Sequence, residues 1–272
     1  IFGPATWVRH LIKPPLGRAV AYIDYEQQEF AAAAALSGDA AMLEAYNSSD
    51  PYLAFARMAG AVPPEATKKS HAAERDRFKR CALAVQYGMG AESLAASIGM
   101  PTAYGRDLLK QHRRTFPTFW QWVDDVAATA AARRVIRAPF GWKLNVTPNT
   151  KATTLQNWPC QAAGAEMLRL AIIGAVERGI CVCAPVHDAL LIEAAEEDID
   201  EHVRLACQNM AQASRAVLDG TTVRTDAKII RYPDRYREER GAAIWQRLQG
   251  LIPELAQKVT PTCSREIQAS HP

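Results

Sequence analysis

Asp24 follows the apolar run Ala19-Val20-Ala21-Tyr22-Ile23, and Asp188 sits behind His187 between two apolar runs, Cys181 to Val186 and Leu190 to Ile192. A carboxylate on the rim of a sheet invites a hard cation, because two such groups close together repel until neutralised. Paired Mg²⁺ ions about 3.5–4 Å apart could then activate an attacking oxygen and stabilise a leaving one. Taken alone, either aspartate reads first as an ordinary turn residue. A third element bears on the choice. From Glu74 to Gly88, the residues Arg75, Lys79, Leu83 and Tyr87 recur at every fourth position and form one slowly drifting helical stripe. From Lys79 to Tyr87 the axial distance is about 12 Å at 1.5 Å per residue. A nucleoside triphosphate along this stripe would meet charge at its phosphates and an apolar, aromatic surface at its sugar and base. Arginine offers a fixed fork of donors and lysine a mobile point charge. A solvated basic face with Tyr87 as a core anchor accounts for the same residues, so the stripe alone leaves both readings open.

The elements that must hold these groups follow from periodicity and punctuation. A buried strand ends at Asp24; helical sequence runs from Gln28 to about Tyr46 with a break at Ser37-Gly38-Asp39. Further helices are expected at 51–58, 72–87, 91–98, 103–114 and 117–134. Val135 to Val146 reads as a hairpin turning at Phe140-Gly141, followed by a helix from about Thr153 to Arg178. A second hairpin turns at His187-Asp188. A helix near Asp200 to Leu218 and a charged, Trp-containing tail complete the chain. Strands at both ends with helices between predict an α+β fold carrying a helical insertion.

At 272 residues, 49% of them apolar, the chain can build a large core. No stretch approaches the roughly 20 apolar residues of a membrane span, so no membrane partner is expected; a cytoplasmic setting is expected from the cysteines. Six cysteines, at 81, 160, 181, 183, 207 and 263, contain no CxxC pair and read as reduced core residues. Net charge is only +3, yet Arg57 to Lys151 holds 16 Lys/Arg against 7 Asp/Glu. That basic middle suits a polyanionic partner, as it would a plain solvated face.

Several segments resemble the family A, DNA polymerase I-like DNA polymerases. Asp24-Tyr25-Glu26-Gln27-Gln28-Glu29-Phe30 is similar to motif A, usually Asp-Tyr-Ser-Gln-Ile-Glu-Leu. Arg75-x3-Lys79-x7-Tyr87-Gly88 resembles motif B on the O helix, and Val186-His187-Asp188 resembles motif C. Asn157-x3-Gln161 resembles the helix that touches primer and template. The similarity runs from about Leu11 to Ile230. It implies a palm, an antiparallel sheet with flanking helices, formed by residues 1–35 and 135–272, with a helical fingers subdomain inserted at 36–134 and the O helix at about 72–87. The thumb and any exonuclease domain would lie before Ile1 in a longer parent chain.

The resemblance also implies roles. Asp24, Asp188 and the carbonyl of Tyr25 would hold two Mg²⁺ ions, with Mn²⁺ able to substitute. Arg75 and Lys79 would bind the triphosphate of a dNTP, Lys79 protonating the leaving pyrophosphate. Gln27, Glu29, Leu83 and Tyr87 would line the nucleotide, Glu29 excluding a 2′-OH. Gly88 would lie near the templating base, and Asn157, Gln161 and His187 would contact primer–template DNA. Four positions depart from the family pattern: Ala189 stands where motif C continues with Glu, Leu83 where the O helix has an aromatic, Tyr52 where a phosphate-binding His is common, and Thr153 where an Arg is usual. A single-subunit RNA polymerase shares the Asp, Lys/Tyr-Gly and His-Asp signals but lacks a Glu29-like gate. A catalytically idle nucleic-acid-binding module would not need Asp24, Arg75, Lys79 and Asp188 together, and a metal-dependent nuclease would need a tighter acidic cluster.

Overall fold

The computed structural model describes residues 6–258. After a short 3-10 turn, Thr6–Leu11, comes strand β1, Arg18–Tyr25, whose residues Ala19, Ala21, Ile23 and Tyr25 are buried while Arg18, Tyr22 and Asp24 are half-exposed. This alternation turns one face of the strand to the core and leaves the Asp24 face open. Helices α1 (Gln28–Ser37), α2 (Ala40–Asn47), α3 (Pro51–Met58), α4 (Ala72–Gln86), α5 (Ala91–Ile98), α6 (Thr102–Thr115) and α7 (Pro117–Arg133) follow. The small hairpin β2 (Val135–Arg137) and β3 (Lys143–Asn145) leads to the long helix α8 (Ala152–Glu177). The chain ends with β4 (Cys181–Val186), β5 (Ala189–Ala195), α9 (Ile199–Val217), β6 (Thr225–Arg231) and α10 (Glu239–Lys258).

The main sheet has strand order β4-β5-β1-β6, so β1 is central although it comes first. Its neighbours run antiparallel to it. The Tyr25 N–H bonds to the Asp188 carbonyl and the Glu196 N–H to Gly17, while Glu26 N–H bonds to Arg224 and Tyr232 N–H to Arg18. The chain divides into two compact units. The larger comprises Ala21–Ile192 and Asp200–Lys228; the smaller comprises Ile1–Val20, Glu193–Ile199 and Ile229–Pro272. In the smaller unit His10 stacks on Trp245 with ring centroids 5.4 Å apart, and Arg9 pairs with Glu238 at 3.1 Å.

Within the larger unit, caps fix the helices that carry the basic stripe. Asp39 accepts from Met42 N–H at 3.0 Å with one oxygen and from Phe119 N–H at 3.0 Å with the other, tying the start of α2 to α7. Phe55 packs edge-on against Phe78 and His112 and tilted against Phe116, at 4.7–5.1 Å between centroids, which locks α3, α4 and α6 together. His112 is fully buried there and accepts from Trp120 Nε1 at 3.1 Å; burial pushes it down to about 3, so it is neutral. The helices and both hairpins fall within a residue or two of their sequence-derived bounds. Three elements were not foreseen: the 3-10 turn, α10 in what reads as a charged tail, and β6.

Candidate active site

β1 gives way to α1 through Gln27, which is left-handed at φ 49°. His187, the first residue of the two-residue turn between β4 and β5, is likewise left-handed at φ 57°. Non-glycine residues pay strain for that conformation, and such strain gathers where function over-determines the backbone. Between these two kinks lie Asp24, near the end of β1, and Asp188, the turn residue that enters β5. The Tyr25–Asp188 backbone bond, 3.2 Å, fixes their register, and the Tyr25 phenol anchors the strand by donating to the Met210 carbonyl at 2.8 Å.

Burial, followed by the charges of Asp188, Asp226 and Glu26, pushes Asp24 up to about 6. Its own backbone N–H opposes this only in part. A carboxylate so destabilised is one that a divalent cation would relieve, so the donor set fits a hard metal. Among the described residues no three His, Cys, Asp or Glu side chains converge tightly enough to grip an ion unaided. A metal here would complete its shell with water and substrate oxygens, as Mg²⁺ commonly does.

A chain of hydrogen bonds crosses beside this pair. The Tyr87 hydroxyl donates to Glu29 Oε1, and Gln161 Nε2 donates to the same oxygen at 2.6 Å. Burial and the Glu29 carboxylate hold the Tyr87 phenol up near about 12, so it remains a donor. Tyr87 is the C-cap of α4, and a cleft of about 310 Å³ is lined by Tyr87, Thr153, Asn157, Trp158 and Gln161. Gly88 has φ 66°, and a Cβ there would sit 2.7 Å from Thr153 Cγ2. Thr153, one of the departures from the family pattern, therefore touches the end of the basic helix directly. Gln156 adds a bond to the Val85 carbonyl.

The charged end of the stripe is organised by a residue that sequence reasoning overlooked. Asp50 caps α3 through Oδ1, accepting from Tyr52 and Leu53 N–H at 3.2 Å, and its second oxygen accepts from Arg75 Nε. Tyr52 is buried; its ring centroid lies 5.4 Å from the Arg75 guanidinium and 5.8 Å from Lys79 Nζ. Tyr52 thus backs both cations. Lys79 is exposed and Leu83 half-buried. A second cleft, about 370 Å³, is lined by Glu26, Gln27, Asp50, Arg57, Lys68 and Arg75 among others. Gln27 and Glu26 are steadied by Arg224, which donates to Glu26 at 3.2 Å and Gln27 at 3.4 Å and spans Tyr46. Asp50 could have been found in the sequence as an N-cap, Asp-Pro ahead of an apolar turn; Arg224 and Asp226 lie at and on the unforeseen strand β6.

The larger unit thus combines an antiparallel sheet, a carboxylate pair at one end of it, and a helix bearing Arg, Lys and Tyr at four-residue spacing, on an α+β scaffold. The chain belongs to DNA polymerase family A, whose model matches residues 5–229. It is 26% identical over 220 residues to the thermostable DNA polymerase I of Thermus caldophilus, covering 76% of this chain and 26% of that polymerase. With the DNA polymerase of Mycobacterium phage D29 it shares 27% identity over 217 residues, covering 79% of this chain and 35% of the phage protein. The chain thus spans about a quarter to a third of these relatives. The POL domain of Pol1 from M. smegmatis, solved in complex with DNA primer-template and dNTP, superposes with a TM-score of 0.71 at 23% identity, over 82% of this chain and 41% of that one, a likeness of fold. No described helix is long and apolar enough to cross a membrane.

Proposed function

We propose that this chain is the palm and fingers of a template-directed DNA polymerase, adding dNTPs to a primer 3′-OH with release of pyrophosphate. The observation that carries the reading is the pairing of β1 with β5, which sets Asp24 beside Asp188 at one end of the sheet in a family A chain. Residues 1–35 and 135–272 correspond to the palm and 36–134 to the fingers. Asp24, Asp188 and the Tyr25 carbonyl are the groups that would hold two Mg²⁺ ions, or Mn²⁺ in their place; bound there, the ions would polarise the attacking and leaving oxygens.

The chain's own residues do the rest. Arg75, its Nε held by Asp50 and its Nη1 by Asp76, is left with Nη2 for the triphosphate, and the exposed Lys79 neutralises and protonates the departing pyrophosphate. Glu29, clamped by Tyr87 and Gln161, occupies the space a 2′-OH would need. Gln27 and Leu83 complete the nucleotide's surroundings. Gly88, Asn157, Gln161 and His187 face primer and template. Partners are then primer–template DNA and dNTPs, the two ligands bound in the M. smegmatis complex. Primer extension with labelled primer, Mg²⁺ and either dNTPs or NTPs tests this. Asp188→Asn should abolish addition while primer–template binding persists. Substantial extension by that variant, or a wild type that prefers NTPs, would overturn the reading.

A further inference from the structure

We infer that Asp226, on β6, is a third carboxylate of the metal centre, acting from the flank of Asp24 opposite β5 through a cation-bound water. The inference rests on the reading of Asp24 and Asp188 as metal-holding groups. Backbone bonds fix the register of β6 at both ends: Glu26 N–H to Arg224, and Tyr232 N–H to Arg18. The two ends agree with no residue inserted between them, so Asp226 stands directly opposite Asp24. On the other side the Tyr25–Asp188 and Glu196–Gly17 bonds set Ala189 opposite Asp24. Ala189, Asp24 and Asp226 therefore form a row across three strands, on one face, with neighbouring strands about 4.8 Å apart.

That face is the open one. Tyr22 and Asp24 are half-exposed and Asp226 is exposed, whereas Ala21, Ile23 and Tyr25 turn to the core. From β5 the row receives only the buried methyl of Ala189. From β6 it receives a carboxylate, while the neighbouring Glu26 is already paired with Arg224 at 3.2 Å. Aspartate is poorly suited to strands, and like charges directly opposite one another destabilise a sheet. A cation before the Asp24 face removes that penalty and gives Asp226 something to do. Since no three carboxylates among the described residues converge to bind an ion directly, Asp226 reaches it through coordinated water, as outer carboxylates do when they orient a metal's shell.

Mn²⁺ titration of the protein, followed by electron paramagnetic resonance of the free ion, tests the assignment without relying on turnover. Asp226→Asn should weaken Mn²⁺ binding about tenfold, with a melting temperature in EDTA no lower than that of the wild type, since the repulsion with Asp24 is relieved, and Asp226→Glu should recover most of the affinity. In single-turnover extension the Asn variant should need correspondingly more Mg²⁺ for half-maximal rate and approach the wild-type rate at saturation. Wild-type Mn²⁺ affinity in Asp226→Asn, or equal loss in the Asn and Glu variants, would overturn the inference. A wild type that binds Mn²⁺ yet extends no primer would instead sink the polymerase reading, while the Mn²⁺ comparison still decides the role of Asp226.

Discussion

At the scale of one residue, Asp24 carries an electrostatic cost that the fold does not relieve by itself. Its carboxyl binds a proton more tightly in the folded chain, with a pKa of about 6, than at the ordinary value of 3.8. The cost of ionising it is therefore fully present above about pH 6 and gone once pH falls below the ordinary value. A rise of that size in a fully buried group would correspond to about 3 kcal/mol; the group is half-exposed, and solvent screening reduces this to about 1 kcal/mol. Asp24→Asn should thus raise stability by about 1 kcal/mol at pH 8 without divalent ions, lose that gain by pH 4, and be inactive. Urea unfolding at the two pH values checks this, and an equal effect at both would exclude the charge account. Glu29 makes a separate case. On the proposed reading its side chain, held through Oε1 by Tyr87 and Gln161, would crowd an intruding hydroxyl and strip it of water. An unpaired buried polar group costs about 1–3 kcal/mol, roughly 5- to 150-fold. Glu29→Ala should raise NTP relative to dNTP incorporation within that range under single-turnover conditions; an unchanged ratio would remove Glu29 from sugar selection.

Among the elements, α4 depends most on how its end is seated. Gly88 needs φ 66° and leaves no room for a Cβ against Thr153, so both strain and collision act on Gly88→Ala. A loss of about 1–3 kcal/mol is expected, together with weaker nucleotide binding, since Tyr87 shifts with the cap. Thr153→Ala should relieve only part of it, because the backbone strain stays; full recovery of stability in the double variant would show that the collision alone mattered. The same elements measure how much was legible in the sequence. The stripe Arg75, Lys79, Leu83, Tyr87 and the strand ending at Asp24 could be read because helical and strand periods differ sharply. β6 was missed although Val223, Thr225, Ala227 and Ile229 alternate with Arg224, Asp226 and Lys228, because Thr and Ala make that face only weakly apolar. α10 hid similarly behind its charged residues. Asp50 was visible as a cap, but its second task, holding Arg75, is a tertiary contact that spacing does not encode.

Across the whole molecule, charge is divided between the stretch that would meet DNA and the rest. The excess of 16 basic over 7 acidic residues from Arg57 to Lys151 predicts binding governed by phosphate contacts. If about four phosphates are neutralised, affinity for primer–template should fall roughly 100-fold between 50 and 200 mM salt. Binding by fluorescence anisotropy over that range measures the slope, and a flat response would exclude a phosphate-dominated interface.

The central position of β1 in the sheet has a further consequence, for the nascent chain. Its partners β5 and β6 are translated only after the whole run of helices from α1 to α8. While those helices emerge, consecutive pairs such as α2 with α3, α3 with α4 and α5 with α6 can pack as they are made. β1 must wait with both edges bare, and pairings so distant in sequence form slowly. An apolar strand in that state is a template for pairing with another chain. The arrangement that brings Asp24 and Asp188 together thus delays their meeting until α8 and β5 have been made, and ribosome-bound intermediates lacking β5 should be the species that most need a chaperone.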